Sequence, residues 1–272
     1  MILHIPEIQD VIERSLEIES TIKDKTKPIT EWIDIHQKEV QENQLLLLDQ
    51  SDKGIAEVLR IFLPRLFARS MRGEQIDLLA EKFIVPLLIN IKHAPIEQFD
   101  VLFKSNYRWG IDIGRKILSD VIDVFKKRDW DIQSYFEDAE EDCKHNFNDD
   151  QLLKVNNIGM KVRDLALSCF SPNFVAFDTH IPLVATRIGL LNYGFDLFPS
   201  NHGIIEMGSN PNDKKQYLFL NKLFQKLSEK TEDEYSLSDL DRIFWHLGRT
   251  YCKKTPICPD CNLRGICLTG RS

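Results

Sequence analysis

The sequence predicts an all-α protein, and three stretches carry the reading of its organisation. From Ile55 to about Cys169 apolar residues recur at helical spacing, with no strand-like alternation. Between LLKV and the helix-period run Val162, Leu165, Ala166 and Cys169 lies a tight turn, Asn156-Asn157-Ile158-Gly159. Four of the six cysteines, Cys252, Cys258, Cys261 and Cys267, fall in the last 21 residues, spaced C-x5-C-x2-C-x5-C.

At 272 residues the chain can build one large or two modest cores. It has no run of 18 uninterrupted apolar residues, so no membrane partner is expected. The start, MILHIPEIQDVIERS, turns acidic at once and lacks a basic n-region, so an intracellular place (cytoplasm or nucleoid) is expected. The formal charge of −7 argues mildly against a nucleic-acid partner, but the acid is unevenly placed. Residues 1–60 hold 13 Asp+Glu against 7 Lys+Arg, and residues 61–272 hold 29 against 28. A local basic face in the larger part remains open.

Residues 1–60 read as wholly helical. Ile5, Ile8, Val11, Ile12 and Leu16 follow helix spacing, and after Pro28 a second helix carries Trp32, Ile33, Val40 and Leu45–Leu48. Ser51-Asp52-Lys53-Gly54 is a turn before the next helix. In IAEVLRIFLPRLFARSM, Pro64 marks a kink or restart. IDLLAEKFIVPLLINI, PIEQFDVLFKS, GRKILSDVIDVFKK and IQSYFEDAEED follow as separate helices, and EDAEEDCKHNFNDD reads as a solvated helix end and loop. Trp109, in Tyr107-Arg108-Trp109-Gly110, is expected to pack in the core under a turn. Beyond the turn come IPLVATRIGLL, KKQYLFLNKLFQKLSEK and LSDLDRIFWHLGRTY, broken by the loop FPSNHGIIEMGSNPND. Ser236 to Asp239 is a capping pattern, and His246 reads as a core residue.

The turn is where chemistry concentrates. Gly159 offers a position free of Cβ, and Asn157 is the non-glycine type most tolerant of left-handed backbone. Two helices joined so tightly leave amide N–H groups at the second helix start without intrahelical partners, and such a terminus can hold phosphate. Lys161 lies two residues past the glycine, and Asp178 lies 17 further on, beside Thr179 and His180. Taken singly, Lys161 reads as a solvated lysine and Asp178 as a helix cap. Together with the cysteine loop they read as a site.

Four cysteines in one short loop of a chain with this character point to metal rather than disulfides. Zinc sites usually draw two close Cys pairs from separate knuckles. Here one close pair is flanked by two longer arms, which suits a cluster with one thiolate per iron. Zinc is the alternative. Cys143 and Cys169 read as ordinary thiols, Cys169 in the core.

Val155 to His180 resembles the helix–hairpin–helix of the endonuclease III superfamily of DNA glycosylases, with its L-P-G-V-G-x-K signature and V-D-T-H-like stretch. Gly159 stands at the second glycine, Lys161 at the nucleophilic lysine of bifunctional members and Asp178 at the catalytic aspartate. The chain departs from the family at Asn156-Asn157, where Pro-Gly is usual. The cysteine loop, with Gly248-Arg249-Thr250-Tyr251-Cys252 before it, resembles the C-terminal iron–sulfur loop of the same superfamily, its first interval one residue shorter than the usual six.

The resemblance implies a two-domain fold. An N-terminal helical extension (1–59) would pack with the C-terminal part, a six-helix barrel with the hairpin would span 60–176, and a [4Fe-4S] cluster domain would span 177–272. It implies a monomeric base-excision repair enzyme, a DNA N-glycosylase with abasic-site lyase activity, acting on double-stranded DNA that holds a damaged base or abasic site. Lys161 and Asp178 would be catalytic, and Cys252, Cys258, Cys261 and Cys267 would hold the cluster. Asn157, Ile158, Gly159, Arg72, Lys253 and Lys254 would touch DNA, Arg72 from a loop that wedges a side chain into the gap left by the extruded base. Tyr107–Gly110 would form a second loop near the target strand. An unperturbed lysine, with pKa roughly 10.4, is protonated at neutral pH, so burial or a neighbouring cation must depress it. The alternatives are a monofunctional glycosylase in which Asp178 activates water, and a non-catalytic DNA-binding protein.

Overall fold

The computed structural model describes residues 6–104, 107–145, 147, 149–194 and 214–271. The chain divides into two compact units, one made of residues 1–38 and 177–272, the other of residues 39–176. The first division falls inside a helix, and the expected boundary at 59 falls inside the next one. The loop 198–213, Ile5 and the side chain of Cys143 lie outside what is described.

In the 39–176 unit, the second half of α2 (Ile29–Leu47) leads to α3 (Asp52–Leu66). Ser51 caps α3 by accepting the Gly54 amide, 3.1 Å, as its Ser-Asp-Lys-Gly sequence suggests. The helix runs through Pro64 without restarting, and Ile55, Val58, Leu59, Phe62, Leu63 and Leu66 are buried along it. Around it pack α4 (Gly73–Ala80), α5 (Val85–Leu88) and α8 (Met160–Leu167). A 3-10 segment (Ile96–Leu102) packs on α6 (Ile111–Lys126), and α7 (Ile132–His145) follows. Two aromatic clusters fill the unit, Phe62 with Phe125, Phe136 and Phe170, and Phe67 with Phe83, Phe103 and Tyr107. Three expected helices are corrected here. The run IDLLAEKFIVPLLINI splits into α4 and α5, Pro86 opening the second. PIEQFDVLFKS is 3-10 rather than α, and LLKV gives only a 3-10 turn, Leu152–Lys154.

A charged group holds this unit together at the hairpin. Arg163, in α8, is fully buried between two fully buried carboxylates, Asp150 at 2.7 Å and Asp164 at 2.5 Å. Its guanidinium also lies over the rings of Phe147 and Phe174. Asp150 accepts the Leu152 amide at 2.8 Å and the Tyr135 hydroxyl at 3.2 Å, and burial pushes the Tyr135 phenol well above its ordinary range. One carboxylate thus ties the 3-10 turn before the hairpin to the helix after it.

In the other unit, α1 (Ile8–Leu16) is followed by an unexpected β-hairpin, β1 (Glu19–Ile22) and β2 (Lys25–Pro28), paired antiparallel from Glu19↔Pro28 to Ile22↔Lys25. This corrects the wholly helical reading of residues 1–60. Lys23 and Asp24 both take positive φ, 47° and 63°, the backbone of a two-residue hairpin loop. Ser20 in β1 is buried, accepts the Trp32 indole N–H through its carbonyl at 3.0 Å, and bonds His246 through its hydroxyl at 2.8 Å. The unit is completed by α9 (His180–Ile188), a 3-10 turn (Leu190–Gly194), α10 (Lys214–Lys230) and α11 (Leu237–Thr250). Phe177, Tyr217, Phe224 and Phe244 pack edge to face in its core. Helices α9 and α11 approach so closely that a Cβ on Gly248 would lie 2.7 Å from that of His180.

Two measurements test this packing. Arg163→Met removes the cation from between two buried carboxylates and should cost about 3–5 kcal/mol in a urea titration, whereas a loss under about 1 kcal/mol would mean water reaches the triad. Burial, with Arg242 nearby, holds His36 and His246 down at about 3. Between that value and the ordinary histidine value of about 6.5 the unfolded chain binds more protons, so stability rises with pH there and is lost on acidification. Going from pH 7 to 5 should cost about 2 kcal/mol per histidine, and His246→Asn should flatten the fall in Tm over that range.

Candidate functional site

The hairpin turn takes its shape from Asn157 rather than Gly159. Asn157 has φ 73°, the left-handed conformation, while Gly159 is extended at φ −108° and a Cβ there would meet nothing within 4 Å. The open space over Gly159, not its backbone, is what a glycine leaves there. Ile158 is buried and its amide is spent on the Val155 carbonyl, 3.2 Å, so it packs the turn and offers no free amide to phosphate. The α8 ladder begins with the Arg163 amide on the Gly159 carbonyl, 3.1 Å, and the amides of Met160, Lys161 and Val162 stand at the helix start.

Lys161 is exposed rather than buried, which leaves a neighbouring cation as the other arrangement expected for it. Its direction follows from Arg163, because two residues along a helix turn through about 200°. With Arg163 inward, Lys161 points out.

The structure joins this turn to two other loops of the same unit. Arg69 donates to the Asn157 side-chain carbonyl, and its guanidinium lies 5.3 Å from the ring centre of Trp109. Trp109 returns an indole N–H to the Arg69 carbonyl, 3.1 Å. Arg108 lies 5.2 Å from the same ring and donates to the Ser70 carbonyl, 2.8 Å, where Ser70 has φ 54°. Trp109 is therefore half-exposed and flanked by guanidinium groups, which corrects the expectation of core packing; the core residue is Tyr107. Arg72, three residues beyond Arg69, is exposed and begins α4, its amide accepted by the Gln75 side chain at 3.0 Å. Basic and aromatic side chains are thus gathered beside the turn, a combination that suits a nucleic-acid strand.

Asp178 belongs to the other unit. Its Oδ1 accepts the His180 amide, 2.7 Å, at the start of α9, a capping bond of the kind Asp makes often. Lys161 and Asp178 thus lie in different units of the chain.

The same helix ends at the cysteine loop. Cys252, Cys258, Cys261 and Cys267 line one cavity with Arg187, Leu247 and Tyr251. Among the described residues no three His, Cys, Asp or Glu side chains are grouped as ligands of a single ion. Arg187 collects the loop's first arm. Its guanidinium donates to the carbonyls of Cys252 at 3.1 Å, Lys253, and Lys254 at 2.9 Å, and lies 3.7 Å from the Cys252 sulfur. Its own carbonyl receives the last arm, through the Thr269 amide at 3.0 Å and the Cys267 thiol at 3.2 Å. Burial pushes the Cys252 and Cys261 thiols up, with Arg187 opposing it at Cys252. Such thiols stay protonated until a metal displaces the proton, so the donor set fits a thiolate-bound group. Lys253, Lys254, Arg264 and Arg271 are exposed around the loop.

No protein-family model and no curated protein matches this chain. Sequence reasoning passed over Arg69, Arg163 and Arg187. Arg187 had a signal, as the one charged residue in IPLVATRIGLL, and Arg163 sits among apolar neighbours at helix spacing.

Proposed function

We propose that this chain is a base-excision DNA repair glycosylase with abasic-site lyase activity, and that its four-cysteine loop holds a [4Fe-4S] cluster. The observation that carries the reading is the exposed Lys161 in the first turn of α8, directly behind a left-handed turn that is tied to an arginine–tryptophan surface. The target nucleotide must leave the stack, since its glycosidic bond is out of reach in a duplex. Arg72 and Arg108 supply positive charge and planar groups for backbone and bases. Lys253 and Lys254, exposed on the cysteine loop, carry positive charge in the other unit.

In its unprotonated form the Lys161 Nζ attacks C1′ of the extruded nucleotide. The bond from C1′ to the base breaks, and the base leaves with that electron pair and takes a proton. Opening of the sugar ring gives a protonated Schiff base. Loss of a C2′ proton then expels the 3′ phosphate, which cuts the strand on that side. Asp178 would stabilise the positive charge that develops on the sugar and move protons at the amine. The cluster would act structurally, by holding its loop and the basic residues on it.

A second reading has its own support. Asp178 spends an oxygen on the His180 amide and Lys161 lacks burial, as in a protein that binds DNA through the same surface without cutting it.

Borohydride reduction on an abasic duplex separates the readings. The wild-type chain should be captured covalently and Lys161→Ala should not; capture that survives the substitution moves the nucleophile elsewhere. Base loss without strand scission would select water activation by Asp178, and binding without base loss would select the second reading. For the loop, protein purified without oxygen should carry about four irons per chain. Arg187→Ala should lose iron to a chelator several-fold faster than wild type, and zinc in place of iron would contradict the cluster.

A further inference from the structure

We propose that Arg69 is a positioning residue that clamps the hairpin turn through Asn157, doing by a side chain what a glycine at that position would do by its backbone alone. Asn157 is a non-glycine residue at φ 73°, a conformation that L side chains rarely adopt. Asparagine tolerates it better than other non-glycine residues, and a bond from outside the turn can favour it further. Arg69 donates from Nη1 to the Asn157 Oδ1, across 88 positions of sequence.

The clamp is itself braced. The Arg69 guanidinium stacks over Trp109, and the Trp109 indole N–H holds the Arg69 carbonyl at 3.1 Å, so side chain and backbone of Arg69 are fixed by one ring. Arg108 closes the arrangement from the other loop, with its guanidinium 5.2 Å from the same ring and its Nη1 2.8 Å from the Ser70 carbonyl. A flexible arginine restrained in this way loses less freedom on forming its hydrogen bond than a free one. Lysine could keep the charge at position 69 but could neither stack nor present a planar fork.

A clamp and a plain phosphate contact give different results. The DNA arm rests on the repair reading; the exchange arm does not. In the free full-length chain, amide hydrogen exchange at residues 156–161 should speed up in Arg69→Ala and equally in Arg69→Lys. Adding Asn157→Gly to Arg69→Ala should restore slow exchange, because glycine takes positive φ unaided. Unchanged exchange in both single variants would overturn the clamp, whatever the chain does with DNA. For an abasic-site duplex, Arg69→Ala should weaken binding about tenfold in the Asn157 chain but less than about twofold in the Asn157→Gly background. An equal loss in both backgrounds, with a salt slope lowered by about 0.9, would make Arg69 an ordinary phosphate contact and refute the proposal. If wild type fails to bind the duplex at low salt, the repair reading falls and the exchange result alone decides the clamp.

Discussion

A guanidinium buried between two carboxylates fixes the face that α8 presents to water. Arg163, Asp150 and Asp164 are shut away from solvent, and charges in such a place persist only when paired at close range. The cost of disturbing that arrangement makes the rotation of α8 about its axis a discrete choice. Asp150 also holds the amides before the hairpin, so both approaches to the turn are anchored by one residue. The turn is short because its ends are fixed, and the left-handed residue it needs is supplied by an asparagine held in place from a neighbouring loop.

Arginine side chains hold several loops of this molecule. Arg187 gathers three consecutive carbonyls at the cysteine loop, and Arg108 and Arg69 bind carbonyl oxygens while stacking on Trp109. Each uses the planar, many-donor geometry that lysine lacks. The near-zero net charge over residues 61–272 does not register this, since it sums charges without regard to where they lie.

The helices were legible where apolar residues repeat with the helical period, as in α3 and α6, and the capping serines at 51 and 236 marked their starts. The cysteine spacing likewise pointed to a shared place, and the four thiols line one cavity. The hairpin at 19–28 left no trace because its strands lack apolar alternation; what they bury is mainly the Ser20 hydroxyl, bonded to a histidine 226 positions away. Arg163 and Asp164 drew no reading from the sequence, because a sequence does not say which charges have found each other. Trp109 read as core for the opposite reason: nothing local reveals that two guanidinium groups flank an indole at the surface. The left-handed residue is Asn157, as its tolerance of that region suggested, while Gly159 is extended with open space over it.

The account turns on the claim that damaged DNA docks against the hairpin and the two loops beside it. Hydrogen exchange of the intact chain, with and without a duplex carrying an uncleavable abasic-site analogue, measures that contact directly. Slowed exchange concentrated at residues 69–72, 107–110 and 156–162 is the predicted footprint. Protection confined to other segments, or none at saturating duplex, would contradict it.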